Sequence, residues 1–149
     1  LFALLLVVLY FASQMKGFQD TYPWFRQFPE FWRAFADYPN ENPYTAHPWT
    51  MLYAIASYGM YLFCWEFFFR GYLMLGMYRV IGWSAVLVQA VPFALLHAGK
   101  PSIEVLAAFP AGVILGILAL NAKSFVPCFV LHWAASIAFD LLVYAGARG

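Results

Sequence analysis

Glu66 and Arg70 lie four residues apart in Cys64-Trp65-Glu66-Phe67-Phe68-Phe69-Arg70-Gly71, a run otherwise aromatic or apolar. On a helix, residues at i and i+4 share one face about 6 Å apart. The carboxylate and guanidinium can therefore pair, which lowers the cost of each charge in a low-dielectric setting. His97 and His132 sit in equally apolar runs downstream. Ionisable groups so placed are costly and mark a functional site by default. Together they are the parts of a water-activating site. A carboxylate or imidazole accepts a proton, and a second imidazole donates to an oxyanion. Ser136, one turn past His132, adds a hydroxyl. Each part also has a plainer reading: an ion pair locking two helices, two packing histidines, a serine bonded back to its own helix. The set, spread over three apolar runs nearly empty of other charges, favours hydrolytic chemistry. His, His and Glu are also zinc ligands. No H-E-x-x-H stands in the sequence, however. The expectation is no cofactor, with a divalent metal such as zinc as the alternative.

The elements that must position these groups are membrane helices. Hydrophobic residues make up 64% of the 149 and charged residues 10%, against about 25% charged in soluble proteins. Mean hydropathy is +0.71. A net charge of +1 offers nothing to a nucleic acid. Cys64 and Cys128, both in apolar runs, read as small fillers rather than a disulfide framework. Residues 1–13 are apolar but short of the roughly 20 residues a span needs, and read as the end of a transmembrane helix whose start is missing. Residues 14–48 carry five prolines among aromatics and charges, the pattern of an interfacial loop. A short interfacial helix is expected over 29–37. Residues 49–149 form the core, with helices over 49–78, 83–97, 102–122 and 127–145. Glu104 falls in the first turn of the third of these, where the helix dipole favours an acid. Gly112-x-x-x-Gly116 gives that helix a small face for close packing. The fold class is an all-α integral membrane protein, a multi-helix bundle of four complete helices and one truncated N-terminal helix. No internal repeat is present, which disfavours a transporter.

The ordered set Trp65-Glu66-x-x-x-Arg70-Gly71, Phe93-x-x-x-His97, Gly112-x-x-x-Gly116, Ser124-x-x-Pro127 and His132-x-x-x-Ser136 resembles the CPBP family of intramembrane proteases. These are the CAAX proteases and bacteriocin-processing enzymes, also called the Abi family. The resemblance covers about residues 60–144. The family pattern is E-E-x-x-x-R, F-x-x-x-H and H-x-x-x-N on successive transmembrane helices. It implies an intramembrane endopeptidase. The first glutamate and His97 would activate water, His132 and residue 136 would stabilise the oxyanion, and Glu66 would pair with Arg70. It further implies a membrane-associated peptide or protein substrate, prenylated or bearing a leader, and an enzyme of the bacterial cytoplasmic membrane. Two positions depart from the pattern. Ser136 replaces the asparagine and keeps a donor. Trp65 stands where the water-activating glutamate belongs, and Glu66, rotated by about 100° along a helix, cannot point where residue 65 points. Three readings stay open: Glu66 is the base, Glu104 swings toward His97 and supplies the carboxylate, or the protein is a catalytically inactive scaffold or chaperone.

Overall fold

The computed structural model describes residues 2–24, 28, 29, 31 and 42–146. Every regular element among them is helical. In hydrocarbon each backbone N–H and C=O must be satisfied within its own segment, and a helix does this locally. In chain order the helices are α1 (Phe2–Ser13), α2 (Lys16–Thr21), α3 (Pro43–Ala46) and α4 (Pro48–Glu66). A π-helical segment (Phe67–Met74) continues α4 directly into α5 (Leu75–Ile81). α6 (Ser84–Leu95), α7 (Ser102–Ala122) and α8 (Val126–Gly146) complete the set. Pro48–Ile81 is a continuous helical stretch of 34 residues, and α7 and α8 have 21 each. All three are long and apolar enough to cross a membrane, while α1 and α6 are shorter apolar helices. The chain is an all-α integral membrane protein. The run over 83–97 holds a helix of only 12 residues, bounded by Gly82 at φ 58° and Gly99 at φ 94°, conformations that favour glycine. The helix expected over 29–37 lies, apart from Pro29 and Phe31, outside the described residues.

The chain divides into two compact units, Leu1–Tyr61 with Trp133–Gly149, and Leu62–His132. In the first, Phe18, Tyr22, Phe139 and Val143 form a buried cluster. The Phe139 ring meets those of Phe18 and Tyr22 edge-on at 5.3 and 5.0 Å. The Trp133 indole N–H donates to the Ile55 carbonyl at 3.1 Å. Its ring fills the space above Gly59, where a Cβ would stand 2.6 Å from Trp133 Cε2. Glycine at 59 is what lets the indole reach the helix backbone.

In the second unit α6 and α7 pack closely through the small face read from the sequence. A Cβ on Gly112 would meet Phe93 Cδ1 at 3.0 Å and Ala90 Cβ at 3.3 Å. One on Gly116 would meet Gln89 Nε2 and Val86 Cγ1 at 3.0 Å and Met74 Sδ at 3.2 Å. Gly116→Val is expected to destabilise the protein by about 1–3 kcal/mol, the range for overpacking a filled core. The denaturation midpoint in detergent measures this, and a midpoint equal to wild type contradicts the packing. Beyond α7, Lys123 adopts a left-handed conformation at φ 51°, and its N–H caps the Ala119 and Leu120 carbonyls. Ser124 Oγ then accepts the Val126 N–H at 3.2 Å. Pro127 suits the first turn of α8, where a missing N–H costs nothing. Cys128 is buried, its thiol 3.1 Å from the Leu115 carbonyl.

Candidate active site

The cluster lies wholly within Leu62–His132. Glu66 closes α4, and Arg70 follows in the π-helical segment, whose i→i+5 turns are rare and recur at functional sites. Both side chains are 0% exposed. Arg70 Nη1 donates to Glu66 Oε1 at 3.1 Å. Glu66 Oε2 is also 3.1 Å from Nη1 but off the hydrogen-bond direction. The guanidinium carbon sits 4.0 Å from the centre of the Phe93 ring, a cation–π arrangement strengthened by desolvation.

From α8, His132 Nδ1 approaches the same Glu66 Oε1 at 2.7 Å. An ionised carboxylate only accepts, so Nδ1 carries the proton. In the neutral ring Nε2 then holds the lone pair. His97 lies in the turn beyond α6, and its Nδ1 is 2.7 Å from the Phe93 carbonyl. A carbonyl also only accepts, so the tautomer is the same and Nε2 again holds the lone pair. The Phe93 ring is 4.8 Å from that of His97 and 6.4 Å from that of His132, centre to centre. It forms a common apolar wall for both imidazoles.

Burial pushes the His97 imidazole below its ordinary value. The Phe93 carbonyl and the Glu104 carboxylate oppose this, while Lys100 and His132 add to it. Glu104, in the first turn of α7, is the carboxylate whose charge reaches His97. It also pairs with Lys100 at 3.4 Å, with both groups partly exposed. Glu66 instead serves Arg70 and His132. Trp65 takes the neighbouring direction: its ring lies edge-on to His97 at 6.1 Å and packs on Phe93 at 6.0 Å and Phe69 at 5.1 Å. Residue 65 thus faces His97 and residue 66 does not, as the rotation along the helix requires. Ser136, one turn past His132, belongs to the other unit and is half-buried.

Among the described residues no three His, Cys, Asp or Glu side chains converge as ligands. Glu66 Oε1 is already shared between a guanidinium and an imidazole N–H.

Residues 47–138, more than half of the chain, match the family model described as type II CAAX prenyl endopeptidase Rce1-like. The chain belongs to the Rce1-like family. No curated protein and no solved structure gives a significant match. The Rce1-like region contains every site residue named from the sequence: Glu66, Arg70, His97, Glu104, His132 and Ser136. It also contains two whose part in the site the sequence does not assign. Phe93 opens the Phe93-x-x-x-His97 motif, and its ring carries the Arg70 guanidinium. Gln89, buried in α6, donates from Nε2 to the Val86 and Gly112 carbonyls at 3.0 and 2.8 Å. A lone amide in an apolar helix was the available signal, since such groups bond across helix contacts.

Proposed function

We propose that this Rce1-like chain is an intramembrane endopeptidase that hydrolyses a peptide bond in a membrane-associated substrate without a metal. The observation that carries the reading is the pair of imidazoles on one aromatic wall, His97 backed by the Phe93 carbonyl and His132 by the Glu66 carboxylate. His97 Nε2 takes a proton from water, and the resulting hydroxide attacks the scissile carbonyl carbon. The Glu104 charge supports the imidazolium that forms. His132, entering the step protonated, donates from Nε2 to the oxyanion. Glu66 supports the positive ring and is itself held by Arg70. When the tetrahedral intermediate collapses, His97 returns its proton to the departing amine and the peptide C–N bond breaks.

The base must be neutral to act, and burial holds His97 low. The rate of cleavage, as kcat/KM, should therefore rise with pH along a limb below the ordinary histidine range. Glu104→Gln removes a charge that raises His97, so the limb should move to lower pH. Cleavage of a membrane-anchored reporter by protein in nanodiscs, followed against pH, measures this. A limb that stays in place in Glu104→Gln contradicts the pairing of Glu104 with His97.

One observation favours a second reading. The Trp65 indole stands beside His97 where the family pattern has a carboxylate. A silent scaffold or chaperone would retain the Glu66–Arg70–His132 lock for stability alone. It would show no cleavage while a partner's abundance depended on it.

A further inference from the structure

Glu66, Arg70 and Gln89 are each 0% exposed. Four of their polar atoms have no hydrogen-bond partner among the described residues: Arg70 Nε and Nη2, Glu66 Oε2 and Gln89 Oε1. Arg70 Nη1 is committed to Glu66, so Nε and Nη2 form the remaining edge of the guanidinium fork, whose two N–H groups point the same way. The orientation of the Gln89 amide is fixed. Its Nε2 lies on two carbonyl oxygens, Val86 O and Gly112 O, and only the NH₂ end can donate to them. Oε1 therefore faces away from both.

Shared neighbours tie the amide to the guanidinium. Phe93, one turn beyond Gln89 on α6, carries the guanidinium on its ring. Gly112, whose carbonyl holds Gln89 Nε2, lies against Phe93 Cδ1. Met74, one turn beyond Arg70, meets Gly116 beside the same Nε2. The unmatched atoms are two donors and two acceptors. An anion would face two acceptor oxygens, and a cation would face the guanidinium. A neutral molecule that accepts two hydrogen bonds and donates two complements the set, and water is the smallest.

We propose that Arg70, Glu66 and Gln89 enclose one structural water. It accepts from Arg70 Nε–H and Nη2–H and donates to Glu66 Oε2 and Gln89 Oε1. Gln89 is then a positioning residue: through this water it holds the carboxylate whose other oxygen orients His132. The water site stands whatever the chain's activity. Only the benefit to cleavage rests on the peptidase reading.

The test is a crystal structure of the full chain grown in a lipid mesophase, at a resolution that shows waters. One water within about 3.2 Å of both the Arg70 fork and Gln89 Oε1 is expected. An anion at the fork, or Gln89 Oε1 bonded directly to a protein donor, overturns the proposal. In ¹⁵N-histidine NMR, Gln89→Leu should move the His132 ring resonances. Val86→Ala, which trims packing and keeps the amide, should leave them in place. Equal or absent movement in the two variants overturns the positioning role. If Gln89→Leu does not fold, a water cross-peak to Arg70 Nε–H in the wild type decides, and its absence overturns the site. None of these readouts requires cleavage, so a failed peptidase reading is told apart from a failed water site.

Discussion

Arg70→Met is expected to destabilise the protein by about 3–5 kcal/mol, the cost of leaving one buried charge without its partner. Among the described residues, Glu66 would keep its carboxylate at 0% exposure with only the His132 ring beside it. Removing both charges should behave differently. A fully buried pair gains little over well-packed apolar groups of similar volume. The double variant Glu66→Met with Arg70→Met should therefore recover most of the stability. It should not recover cleavage, because His132 loses the acceptor that orients it. Denaturant midpoints in micelles measure the first part, and reporter cleavage measures the second. A single variant as stable as the wild type would mean that the pair is not buried as described.

Trp65→Glu is expected to raise kcat/KM by about 10²-fold, the lower end of the range for a positioned general base. The indole already lies 6.1 Å from the His97 ring, centre to centre. A glutamate on the same bond directs its carboxylate toward the imidazole that takes the proton. Trp65→Gln has the same shape without the basicity and should give no gain. Both variants lose contact with Phe69 and Phe93, so the difference between them isolates the carboxylate. Equal rates for the two would show that position 65 does not serve the reacting water. The comparison also bears on the scaffold reading, since an inactive wild type made active by Trp65→Glu would be a site disabled at one residue.

The helical, membrane-spanning character was legible because hydrophobic length and low charge dictate it. The Glu66–Arg70 pair followed from i,i+4 spacing, and the close face of α7 from its two glycines. The divergence of residues 65 and 66 was legible too, because a helix turns each successive side chain by about 100°. Which histidine receives Glu66 was not legible. That depends on how the turn over 123–125 returns α8 beside α4, and spacing along one helix carries no such information. The π-helical stretch Phe67–Met74 was missed because its residues suit an α-helix equally well. Gln89 was missed because its role comes from the Gly112 carbonyl on another helix, a contact no local pattern announces. The short α6 reflects glycines at positive φ on either side, where apolar composition alone suggested a longer run.

The most direct measurement of the central claim is cleavage of a membrane-anchored reporter by the full chain in nanodiscs, wild type against His97→Gln. The expected result is that the wild type cleaves and that His97→Gln lowers kcat/KM by about 10²–10⁴-fold, with its denaturation midpoint close to wild type. Cleavage by His97→Gln at the wild-type rate would contradict the account.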